Sequence, residues 1–308
     1  MAEPDRQTAP STPVPDTAPA RGTLAVASMA PRARLGIAGW LAIAWLVAVL
    51  GMALFAPLLP LPDPDRSAFP PGLPLFSDGH LFGTDSNGRD VLSRVVHGAR
   101  VSLLIGFSAV TFGMVVGGAL GLYAGYFRNR VVAAIGWLFD VLLSFPALVL
   151  ALSLVAVLAG RPDTSDLKRN LVIILALGIV AVPLLGRITR GTTLTWSRRE
   201  FVLAARALGA KDLRIMVREV LPNVLPAMFS LALLSVAVAI VAEGGLAVLG
   251  AGTQSISWGS MIANGRSDLQ RVPNVVLVPS TFIFLTVLAL NYIGDIVRAR
   301  FDVRESIL

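Results

Sequence analysis

Two carboxylates, Asp140 and Glu243, stand inside long apolar runs of this chain. Placing a lone carboxylate at the centre of a bilayer costs at least about 2.5 kcal/mol on insertion scales. Each must therefore face a cavity, a neighbouring subunit or the water interface. Two chemistries meet that condition: groups that touch cargo or ions along a transport path, and hydrogen-bonded anchors between helices or subunits. Asp140 lies about ten residues into its run, which places it near mid-membrane. Glu243 follows about 22 apolar residues, which places it near the outer end, ahead of Gly244, Gly245 and a loop suited to an outer gate. Both are candidates for a substrate path or gate.

Other reactive side chains are sparse. Lys168 and Lys211 are the only lysines, and neither follows a glycine. The GxxxxGK[ST] loop that cradles nucleotide phosphates is therefore absent, so ATP hydrolysis, if it occurs at all, belongs on another chain. His80 and His97 carry no metal-ligand spacing and read as polar surface. No nucleophile, base and orienting group stand together. The chain has no cysteine, which excludes disulfides and thiolate metal sites. The expectation is a chain with no catalytic residue, no metal and no cofactor of its own.

The elements that must position these groups are set by composition. Of 308 residues, 55% are apolar and 15% charged, against about 25% charged in a typical soluble domain. That is too apolar for one water-soluble core, and lipid is the expected solvent for much of the chain. Residues 1–30, rich in Pro, Ala and Thr, predict a disordered cytoplasmic tail. Charge-free runs then predict six spanning helices: about 35–57, 101–127, 131–160 (interrupted by Asp140), 171–186, 221–242 and 275–294. Six prolines between 60 and 74 keep the segment after the first span irregular and water-facing until a short helical stretch leads into the second. Pro146 and Pro183 are potential kinks. The resulting domains are a tail (1–30), a first span with an extracytoplasmic segment and elbow helix (31–100), a five-helix core (101–298) and a cytoplasmic tail (299–308).

With both termini in the cytoplasm, 17 of the 26 basic residues fall on the cytoplasmic side, as the positive-inside rule requires. The net charge of +7 is thus mostly a topology signal. Its basic residues are divided among loops without interleaved stacking aromatics, so nucleic acid is not an expected partner; membrane lipid is.

The longest charged stretch of the second half, 187–219, holds the most informative segment. Phe201, Ala205 and Leu208 fall on one helical face, and Leu213, Met216, Val217 and Val220 form a second apolar series. Gly209 separates them, as a helix C-terminus prefers, and Asp212 suits the first turn of the next helix. Lys211, Arg214 and Arg218 share a face, and Ala204 and Ala205 are small enough to admit another surface. Two short amphipathic helices with a bend are predicted, able to lie in the lipid interface or to dock into a partner's groove.

Within this segment, Ala204, Ala205 and Gly209, followed by Leu221 and Pro222, resemble the EAA loop of ABC importer permeases. The family usually has Glu where this chain has Leu203; Glu200 lies one turn earlier. Residues 83–106, GTDSNGRDVLSRVVHGARVSLLIG, resemble the GTDxxGRDVLSRLxxGARxSL stretch of the C-type subunits of dipeptide and oligopeptide importers. There Asp85 and Gly88 suit a turn, while Arg89, Asp90 and Arg94 are expected to stay wet on an interfacial elbow helix. LGAG with SWGSMIANGR at 249–266, and NYIGDIVRARFD at 291–302, are similar to further stretches of that family.

The resemblance implies an all-α, six-helix permease of the type I importer kind. Its coupling loop, about 195–222, would dock on an ATPase through Glu200, Ala204, Ala205, Gly209, Lys211, Leu221 and Pro222. It further implies a second homologous permease subunit, two ATP-binding subunits that hold ATP and Mg, an extracytoplasmic substrate-binding protein, and peptides as cargo. Relatives in the same family import nickel or glutathione. The sequence also admits two other readings: an ATPase-independent secondary transporter or channel, and a membrane scaffold that recruits a cytoplasmic partner.

Overall fold

The computed structural model describes residues 36–305 except 78, 162 and 163, with side chains as far as 300. The expected tail at 1–30 and the arginines ahead of the first span lie outside the described residues, as does the end of the chain from 306. The described residues are helical and contain no strand, only two isolated bridges.

Helix α1 (Ile37–Phe55) is followed by one tight turn, and six prolines then hold the chain irregular as far as Asp90. Helix α2 (Val91–Tyr126) begins where the Asp90 side chain accepts the Ser93 N–H at 2.7 Å, an N-cap that satisfies one orphan donor of the first turn. The structure differs here from the sequence expectation: α2 runs unbroken from 91 to 126, so no separate elbow helix precedes the second span.

The third expected span is also different. It is two helices, α3 (Arg130–Ser144) and α4 (Ala147–Ala159), bent by 90° to one another. Pro146 is the cause: a residue before proline is driven from the helical region, and Phe145 is extended at φ −88°, ψ 138°. Pro183, by contrast, lies within α5 (Asp166–Trp196), which continues through it.

Helix α6 (Glu200–Ala207) and the short α7 (Asp212–Ile215) follow. A π-helical turn, Met216–Val220, joins α7 directly to α8 (Leu221–Val248). Helix α9 (Trp258–Gly265) and the long α10 (Asn274–Glu305) complete the chain. Five helical stretches are long and apolar enough to cross a membrane, and the bent α3–α4 pair makes a sixth if counted as one span.

Helix α2 lies along α5 as the most extensive helix pair. Glycines every fourth residue (113, 117, 121 and 125) make that approach possible. A Cβ on Gly117 would lie 2.3 Å from the Val182 carbonyl oxygen, and one on Gly121 2.2 Å from that of Gly186. Membrane helices gain contact in this way where burial from water supplies no drive. Helix α8 packs on α2, α5 and α10, and α1 closes over α10 and α2 with Trp45 Nε1 donating to Thr286 at 3.1 Å.

The two ends of the bundle are built differently. At one, the 59–90 segment and α9 pack on the starts of α2 and α10 through Val91, Val95, Met261 and Val275. At the other, α6 and α7 pack on the ends of α2 and α5 and the start of α8.

Candidate functional site

The bend between α6 and α7 is a complete Schellman motif. The Ala210 N–H donates to the Ala205 carbonyl at 3.1 Å and the Gly209 N–H to that of Arg206 at 3.0 Å, with Gly209 at φ +79°. Only glycine takes that conformation without strain, so Gly209 fixes the angle between the two helices. Beneath the bend, Val202 and Ile215 are fully buried against Leu122, Trp196 and Val224.

The face assignments differ from the expected ones. Val202 and the half-buried Ala205 point inward, whereas Ala204, Phe201 and Leu208 are exposed, Leu208 by 88%. In the second series Leu213 and Val217 point outward, while Ile215 and Val220 are buried. The π-helical turn explains this register. It adds a residue to the turn, so Ile215 and Val220, five apart, share a face that an α-helical count assigns elsewhere. The Leu221 N–H reaches the Met216 carbonyl, five residues back, and Pro222, which has no N–H, opens α8. Glu200 lies in the first turn of α6, and Lys211 stands exposed just before α7.

One residue that stitches this site carried no sequence signal. Tyr126, the last residue of α2, donates its hydroxyl to Asp212 Oδ1 at 2.8 Å and accepts from Arg206 Nη2 at 3.2 Å. It thereby ties both short helices to a spanning one from about eighty residues away.

Glu243, near the end of α8, is fully buried. Its Oε1 accepts the Ser257 hydroxyl at 2.7 Å, and its Oε2 has no hydrogen-bond partner among the described residues. Ser257 in turn caps α9: its oxygen accepts the Ser260 N–H at 2.9 Å, and its own N–H donates to Ser260 Oγ at 2.8 Å. The adjacent Trp258 is fully buried, donating its backbone N–H to Ser102 at 3.0 Å and its indole N–H to the Val95 carbonyl at 2.9 Å. The loop before α9 is gripped from α5, where Arg169 Nε donates to the Gly252 carbonyl at 2.6 Å and Asn170 Oδ1 accepts from Thr253 at 2.5 Å.

Asp140 and Glu243 are not brought together. Asp140 on α3 pairs with Arg187 on α5, and both side chains are largely exposed on the chain's surface, 65% and 51% respectively. Asp140 thus joins two helices, yet it is not buried within this chain.

The 85–90 segment is a turn, as Asp85 and Gly88 suggest, and Arg89 and Asp90 lie in it rather than on an elbow helix. Asp85 Oδ1 accepts the N–H groups of Asn87 and Arg89, each at 2.9 Å, and Gly88 turns at φ +71° against the Phe69 carbonyl. Arg94 and Asp90, expected to stay wet, are buried. Arg94 donates to the Pro64 carbonyl at 2.9 Å and lies 4.0 Å from Asp85. Nor is His80 open surface: it is buried, 2.7 Å from the second oxygen of Asp90, with its ring on Phe69. Together these contacts clamp the irregular segment onto the start of α2.

Comparison with known proteins agrees with this architecture. Residues 117–306 match the family described as binding-protein-dependent transport system inner membrane component. The chain is 38% identical over 253 residues to the dipeptide transport system permease protein DppC of Alkalihalophilus pseudofirmus, covering 82% of this chain and 81% of that one. It is likewise 38% identical to the di/tripeptide permease protein DppC of Pseudomonas aeruginosa, over 84% of this chain and 85% of that one. It is 35% identical to the glutathione transport system permease protein GsiD of Pectobacterium atrosepticum, over 73% of each. Among solved structures, a chain of the inward-facing MetNI methionine ABC transporter superposes with a TM-score of 0.56 at 20% identity, covering 68% of this chain and 97% of that one; this likeness speaks for the fold alone. The chain belongs to the binding-protein-dependent transport system inner membrane components, and is a multi-span, non-catalytic permease subunit of an ABC importer that relies on a partner ATPase.

Proposed function

We propose that this subunit forms half of a translocation path for short peptides, and that the α6–α7 bend is the surface through which ATP-driven closure of the motor subunits reaches the bundle. The observation that carries the coupling role is the division of the bend into two faces. Val202 and Ile215 root it in the bundle, while Leu203, Leu208, Leu213 and Val217 stand exposed among Arg206, Lys211, Arg214 and Arg218. An apolar patch rimmed by charge marks an interaction surface, and the stiff Gly209 bend gives it a fixed shape. Cargo is inferred from the relatives, whose names specify dipeptides, di- and tripeptides, and glutathione.

The assembly that fits this reading pairs the chain with a second, homologous permease. Two ATP-binding subunits carrying ATP and Mg lie at the α6–α7 end, and an extracytoplasmic binding protein lies at the α9 end. Both termini are then cytoplasmic. Glu243 fastens α9 and its preceding loop at the outer mouth, and Asp140 lies along the path.

The faces seen in the structure change which substitution tests the coupling role. Ala205 packs inward, so enlarging it disturbs the fold; Leu208 and Ala204 are the outward probes. Leu208→Asp is expected to lower ATPase co-purification by about tenfold or more, the scale of an interface hot spot, while leaving membrane insertion unchanged. Full retention of the ATPase together with normal peptide uptake would remove the coupling role from this bend.

A further inference from the structure

The Asp140–Arg187 pair is anomalous for its surroundings. Both residues lie on helices that contribute to membrane spans, α3 and α5, yet more than half of each side chain is exposed on this chain's surface. Hydrocarbon does not cover such a pair at tolerable cost: ionised groups within membranes face protein or a water-filled cavity. Nor is the local charge balanced. Arg190, one turn beyond Arg187, has its Nε buried without a hydrogen-bond partner. Its guanidinium lies beside Gly136, one turn before Asp140, with Nη1 3.7 Å from where a Cβ on Gly136 would sit. A second guanidinium thus lies about one helical turn from the carboxylate that Arg187 holds. Exposed Trp137 adds an aromatic surface on the same side of α3, three residues before Asp140.

We propose that Asp140 and Arg187, backed by Arg190, form a subsite within the path for the charged ends of a zwitterionic peptide, Arg187 taking its carboxylate and Asp140 its ammonium group. The assignment rests on the peptide reading above. At rest the two side chains neutralise each other. Separating them in a low-dielectric path is costly unless each finds a new partner, and a zwitterion supplies both partners at once. A peptide lacking the free carboxylate leaves Arg187 unpaired, the situation in which a polar site rejects an analogue most strongly. The surplus arginine makes the carboxylate the end that is read. The pair would then act both as a plug when no cargo is present and as a filter when cargo arrives.

The test uses the whole transporter in proteoliposomes, with its partner permease, ATPase subunits and binding protein. Alanyl-alanine and alanyl-alaninamide are each supplied already bound to saturating binding protein, so that capture is not compared. Peptides moved per ATP hydrolysed are measured. The wild type is expected to favour the free acid by about tenfold, the scale of one charged hydrogen bond. Arg187→Gln should bring that ratio close to one by slowing the free acid alone, and Arg187→Lys should retain much of it. The subsite is overturned if Arg187→Gln slows both peptides equally, or if it releases the partner permease on purification, which would make the pair a subunit clamp. It is also overturned if the exchanged pair Asp140→Arg with Arg187→Asp restores free-acid transport. A wild-type complex that moves other cargo but neither peptide would instead refute the peptide reading itself.

Discussion

At the scale of single residues, Ser257 joins two tasks in one hydroxyl. It donates to Glu243 and accepts from the first turn of α9. Ser257→Ala leaves a buried carboxylate oxygen without its donor, a loss of about 1–3 kcal/mol, and also removes the α9 cap. Proteolysis in the 249–257 loop is expected to accelerate by about tenfold or more, since opening follows the lost free energy. The Gly209 bend should not respond. Unchanged cutting of that loop would show that Glu243 does not hold α9. Sequence alone placed Glu243 near a span end and before a loop suited to an outer gate, but it could not supply its partner. Ser257 is fourteen residues on, and the loop between them has no periodicity. The Arg187 partner of Asp140, on a different helix, was equally illegible, as was the burial of His80 and Arg94.

At the scale of elements, the α2–α5 pair is the least forgiving part of the molecule. Gly121→Val introduces two methyl groups where even a Cβ would lie 2.2 Å from a carbonyl oxygen. Overpacking of this kind costs about 1–3 kcal/mol, and here backbone rather than a side-chain tip must move. The variant is expected to lose thermal stability in detergent by several degrees and to fall in yield; wild-type melting would mean the helices can separate without penalty. Most spans were legible because long apolar runs free of charge are plain in the sequence, and the Gly209 bend was legible because its chemistry is local; the fourth run, read as 171–186, was cut short because α5 continues through Arg187 and Arg190 to Trp196. The 90° break at Pro146 was anticipated only as a kink, since proline marks the place but not the angle. The π-helical turn left no trace in composition, and so Ile215 was missed.

At the scale of the whole molecule, orientation is open to direct measurement because the chain contains no cysteine. Single cysteines at Phe76 and Leu208, both strongly exposed, report the two ends. A membrane-impermeant maleimide is expected to label Phe76→Cys in intact cells and Leu208→Cys only after permeabilisation; the reverse pattern would invert the topology. Helix α5 joins these ends in one member of 31 residues, about 46 Å long. Trp196 at its foot is embedded with the α6–α7 bend, Arg169 and Asn170 at its head hold the loop before α9, and between them the glycines of α2 press along it from Gly178 to Thr193. A bar seized over about half its length does not swing by itself. On the coupling reading proposed above, displacement of the foot would carry α2 with it and reach the loop at the head, so the two mouths would move as one lever.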